Sequence, residues 1–142
     1  MSAPLLPQPG AQTATLLDLW DRMGIGVRCA YNPGCPCAVR RYLEIGRRLV
    51  SSGARSELQV QQRMLQVLLQ VAHDPALPWL WRSICLEHTA FPRARLVSLL
   101  AHWDPLAVPA MDAALQAAHD ILGLAQAQGR STVRSPGASG HA

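Results

Sequence analysis

Residues 56–73, SELQVQQRMLQVLLQVAH, constrain the fold more than any other stretch of this chain. Ser56 with Gln59 three positions on fits a capping box, in which the two residues satisfy each other's free backbone donors. From there Val60, Met64, Val67 and Val71 recur at helical spacing, and Leu58, Leu65, Leu68, Leu69 and Ala72 widen the stripe. Gln59, Gln62, Arg63, Gln66 and Gln70 share the narrow polar strip that remains. A helix apolar over most of its circumference must be covered by neighbours on two sides. This segment is therefore expected at the centre of a bundle.

Other segments supply the neighbours. TLLDLWDRM, capped at Thr13 or Thr15 and stopped by Gly24, places Leu16, Leu19, Trp20 and Met23 on one stripe. A second helix over about 36–52 sets Val39, Leu43, Gly46 and Val50 opposite Arg40, Arg41, Glu44, Arg47 and Arg48, with Gly53 as its stop. Further helices are expected at about 76–88, with Leu77, Leu80, Trp81, Ile84 and Cys85 inward, and at about 92–102, opened by Pro92. The last, alanine-rich, runs over about 106–128 and ends at Gly129. Asn32-Pro33, Asp74-Pro75 and Asp104-Pro105 each precede a helix, and each reads as an Asn/Asp cap with proline at the first helical position. Nothing alternates as a strand. The fold class is all-α, a compact single-domain bundle of five or six helices over 13–128, between a flexible leader at 1–12 and a disordered tail at 129–142.

At 142 residues the chain suits one domain with a core that needs no disulfides. Apolar residues at 49% and charged residues at 15% exclude a disordered class. All 13 cationic residues are arginine and the formal net charge is +4, a mild attraction to polyanions. Absent lysine beside abundant Ala, Arg, Gly and Pro is what a GC-rich gene writes by default, so arginine usage alone says little about phosphate binding. No run approaches the roughly 18–20 apolar residues of a membrane span, and the N-terminus lacks the basic and apolar regions of a secretory signal. A cytoplasmic protein without membrane contact is expected.

Three of four cysteines fall in CAYNPGCPC at 29–37. In a reducing compartment, thiols are free, metal-bound or redox-active more often than paired. Zinc takes four thiolate or imidazole ligands in a tetrahedron, and Cys35, Cys37, Cys85 and His88 can supply them, with Cys29 as a substitute. Cys85 and His88, three apart on a helix, share a face. An iron–sulfur cluster would use all four cysteines. The spacing C-x-C with a distant C-x-x-H is not a standard one. The competing expectation places Cys85 in the core with Leu77, Leu80, Trp81 and Ile84. A redox role would draw on the dipole at the start of the second helix, which lowers a thiol pKa.

No nucleotide, hydrolase or metalloprotease motif occurs. His73-Asp74 and His119-Asp120 resemble the His-Asp pair of metal-dependent phosphohydrolases, but that pattern needs an earlier histidine and none precedes His73. No catalytic residue is assigned. Arg40, Arg41, Arg47 and Arg48 recur at a seven-residue offset on one helix side, the best nucleic-acid candidate. Trp20, Trp79 and Trp103 are candidates for a partner surface, since tryptophan dominates interface energetics. The function expected is a non-enzymatic regulatory or adaptor protein that binds a protein partner or a second copy through helical surfaces. A nucleic-acid-binding regulator is the alternative, and a helical metal-dependent enzyme the third.

Overall fold

In the computed structural model, which describes residues 9–134, the helix over 57–73 touches every other helix. The six are α1 (Pro9–Arg28), α2 (Cys37–Ser51), α3 (Glu57–His73), α4 (Trp79–His88), α5 (Ala90–Leu100) and α6 (Ala107–Arg134). The all-α bundle and the central place of α3 are as the apolar circumference demands. Two core clusters form on opposite sides of that helix. Val60, Met64, Val67, Leu68 and Val71 meet α1, α2 and α4 through Trp20, Val27, Val39, Tyr42, Leu49 and Trp81. Leu65 and Ala72 turn the other way, toward Leu86, Leu96, Leu100, Leu115, Ala118 and Leu122.

The helix ends follow from local chemistry. Ser56 accepts a hydrogen bond from the Gln59 backbone N–H at 3.2 Å, closing the first turn of α3. Gly53 adopts φ +76°, and the N–H groups of Gly53 and Ala54 donate back to the carbonyls of Val50 and Leu49. That is a Schellman ending, for which glycine has the least steric penalty. The end of α1 repeats the pattern without glycine: Ala30 takes φ 52°, and Ala30 and Tyr31 donate to Val27 and Gly26. Trp81 then fastens this end to α4, its indole donating to the Val27 carbonyl at 3.0 Å. Arg28 reaches Asp74 at 2.7 Å, joining the ends of α1 and α3.

Several boundaries differ from expectation. Gly24 does not stop α1, because it lies inside the helix where a Cβ would press on the Tyr42 ring at 3.1 Å. The helix begins at Pro9, within the expected leader, and α6 passes Gly129 to Arg134; residues 1–8 and 135–142 lie outside the described part. The three Asx-Pro pairs are turns and not caps. Asn32, Asp74 and Asp104 each accept, through their carbonyls, the N–H three residues on, with proline at the second turn position where its fixed φ fits. Pro36 and Pro78, three residues beyond the prolines of the first two pairs, stand immediately before α2 and α4. A single residue, Thr89, separates α4 from α5, and its hydroxyl donates to the Leu86 carbonyl. α5 starts at Ala90, two residues before Pro92, since proline within the first turn removes only a donor that has no helical partner. No helix among the described residues is long and apolar enough to cross a membrane.

Candidate functional site

Of the three tryptophans expected at a partner surface, the tertiary structure leaves one fully available. Trp20 is buried, stacked on Tyr42 with ring centroids 5.7 Å apart. Leu16 and Met23 pack beside it on this chain's own core while Leu19 of the same stripe stays exposed, so Trp20 is not the surface residue expected. Burial also drives the Tyr42 phenol pKa above its ordinary value. Trp79 is half-buried and its indole donates to the Leu122 carbonyl at 3.1 Å, tying α4 to α6. Trp103 is 88% exposed and Leu106 is 81% exposed. Both sit on the 101–106 connection, whose backbone is held by bonds from Trp103 and Asp104 to the Leu100 carbonyl and from Ala107 to that of Asp104.

That turn stands at the end of an open groove of about 960 Å³. The α3 wall is mixed, with Gln62, Gln66 and Gln70 beside Leu65 and Leu69. The other is apolar: Leu96 and Leu100 from α5, then Ala107 and Met111 from α6. Leu100 and Ala107, which line the groove, bracket the Trp103–Leu106 stretch in sequence, and Trp103 and Leu106 stand outside its lining.

Arg40, Arg41, Arg47 and Arg48 are all exposed on α2, as the seven-residue offset predicts. Glu44 pairs with Arg48 at 3.4 Å, whereas Arg40, Arg41 and Arg47 have no ion pair among the described residues. Two of these arginines border a second groove of about 540 Å³, which the sequence did not signal. Arg40 and Arg47 form its lip on α2; Leu43, Met64 and Pro92 lie at its base; Phe91 and Arg95 rise on the α5 side. Phe91 is mostly exposed, and Arg95 is engaged by Glu57. Gln61 also lines this groove although it is only 3% exposed.

The thiols do not assemble a metal site. Cys35 and Cys37 are joined by a disulfide, Cys29 is exposed, and Cys85 is fully buried in the core with Trp81 and Leu68. Burial pushes the Cys85 thiol up to about 12, because a thiolate there would lose its hydration. His88 holds its Nδ1 2.8 Å from the Ile84 carbonyl, as a donor, and tilts against Phe91. Among the described residues no three Cys, His, Asp or Glu side chains converge as ligands. Cys29, Cys35, Cys37, Cys85 and His88 are therefore not brought together as one donor set in this structure, and an iron–sulfur cluster would need the thiolates of the paired cysteines. What overrides the sequence spacing is the periodicity of α4, which turns Cys85 inward.

Compared with protein-family models, with curated proteins and with solved structures, the chain matches none, so its geometry alone carries the functional reading.

Proposed function

We propose that this protein is a non-enzymatic adaptor that seats an amphipathic helix of a protein partner in the groove between α3, α5 and α6, anchored by Trp103 and Leu106. The observation that carries the reading is the exposure of two large apolar side chains on a turn held by backbone hydrogen bonds to the Leu100 and Asp104 carbonyls. A tryptophan side chain buries about 150–250 Å² on docking. At about 25 cal/mol per Å² that is roughly 4–6 kcal/mol of gross stabilisation, enough for a hot spot after ordering costs are subtracted. The leucines of α3 and α5 with Met111 offer an apolar bed, and the glutamines of α3 a polar edge, for an amphipathic helix.

Placing a photo-crosslinking amino acid at position 103 in the producing cell tests this. A discrete adduct is expected at 103 and none at an exposed control site such as Gln59. Equal labelling at both sites, or none at either, overturns the reading. A second reading, nucleic-acid binding, is favoured by the three unpaired arginines of α2. It requires binding that falls with salt at a log–log slope of roughly −3 to −4, for three to four phosphate contacts.

A further inference from the structure

Gln61 is the anomaly of α3. Its neighbours Gln59, Gln62, Gln66 and Gln70 are all exposed, yet Gln61 is 3% exposed and its side chain makes no hydrogen bond among the described residues. Its amide is not sealed in. The one sealed side-chain polar atom without a partner among the described residues is Trp20 Nε1, so the Gln61 amide is reached from the groove it lines. A buried amide carries two donors and an acceptor, and leaving them unmade is costly where an apolar side chain would pack at no such cost. Beside it, Leu43, Met64 and Pro92 offer an apolar bed. Arg40 and Arg47 flank the opening one turn either side of Glu44, which is occupied by Arg48.

We infer that the groove between α2, α3 and α5 binds a small organic anion with an apolar body, its carboxylate held by Arg40 and Arg47 and a polar atom of its chain on the Gln61 amide. Arginine presents a planar fork of donors that matches a carboxylate. The volume of about 540 Å³ lies in the range of small-ligand sites. The unpaired cations choose the sign of the headgroup, and the apolar base excludes a fully hydrated ion such as free phosphate. This site is separate from the Trp103 groove and does not depend on it.

The test uses the full chain, anilinonaphthalene sulfonate as a fluorescent amphipathic anion, and decanoate and decanol as competitors. Decanoate is expected to displace the dye at least about tenfold more effectively than decanol. Arg40→Gln with Arg47→Gln should weaken decanoate about tenfold and leave decanol unchanged. Gln61→Met should weaken decanoate while raising the melting temperature of the unliganded protein, because a buried amide without partners is replaced by an apolar chain of similar length. A merely structural Gln61 would instead lower that temperature. Trp103→Ser should bind decanoate as the wild type does. Equal displacement by decanol, undiminished binding in the arginine variant, no dye or decanoate binding, or a less stable Gln61→Met with unchanged affinity would each overturn the site.

Discussion

Gly46 is the most crowded of the described glycines, and replacing it with alanine gives a sharp check on the packing. A Cβ there would stand 2.5 Å from Met64 Sδ, 3.1 Å from Val60 Cγ1 and 3.2 Å from Trp20 Nε1. Carbon and sulfur atoms pack comfortably at about 3.5–4.0 Å, so Met64 must retreat by about 1 Å. It is 2% exposed and enclosed by other core residues. Overpacking of this kind costs about 1–3 kcal/mol. Alanine recovers about 0.5–1 kcal/mol through its better helix propensity. The expected balance for Gly46→Ala is a loss of about 0–2.5 kcal/mol, or up to roughly 10 °C in Tm for a chain of this size, against the gain expected at an uncrowded glycine. Gly123 in α6 supplies the control, for a Cβ there meets nothing within 4 Å. Gly123→Ala should gain about 0.5–1 kcal/mol. Urea and thermal unfolding followed by circular dichroism would measure both. In a Met64→Ala background the cost of Gly46→Ala should shrink by about 1 kcal/mol, since neighbours in contact couple. If Gly46→Ala proves as stable as Gly123→Ala, the close crossing of α1, α2 and α3 is wrong.

Three other outcomes are expected. Ala30→Gly should stabilise the fold by about 0.5–1 kcal/mol, because alanine at φ 52° pays a left-handed penalty that glycine escapes; an unchanged or lower Tm would refute that ending for α1. Ellman's reagent should titrate Cys29 in the folded protein and Cys85 only after denaturation, given its burial and raised pKa; rapid reaction of both thiols would contradict the core placement. The carboxyls of Asp74 and Asp112 are held below their ordinary range, by the hydrogen bonds from Arg28 and Arg93 first of all. A depressed folded pKa gives stability that is present above the unfolded value of about 3.9 and lost as pH falls through the folded one. Denaturant midpoints should therefore hold near neutrality and drop below about pH 4, with a shallower acid limb in Asp74→Asn and Asp112→Asn. An identical acid limb in both variants would show that these pairs do not hold the folded state.

Gln61 and Trp20 carry opposite lessons about surfaces. Trp20 lies on an apolar stripe at i, i+3, i+4 spacing that equally suits a docking helix, and the bundle consumes it. Gln61 stands outside the polar strip of α3, one turn from Met64 and Leu65, and the bundle draws it inward without giving its side chain a partner. The adaptor reading rests on apolar groups left outside, the anion reading on a polar group taken inside.

The sequence by itself determined whatever depends on neighbours a few residues away. Helical periodicity marked the helices, Ser56 and Gly53 set ends of α3 and α2, and the apolar girth of residues 57–73 required a central helix. It also allowed Cys85 to be read as a core thiol in register with Trp81. Tertiary structure alone decided which stripe covers which. Gly24 and Gly46 became contact points because Tyr42 and Met64 arrive from other helices. The grooves beside Trp103 and Gln61 exist only where α5 stops short of full contact with α3 and α2. A stripe of side chains fixes that a face must be covered. What covers it, and what stays open, is settled by the distances at which remote segments close on one another.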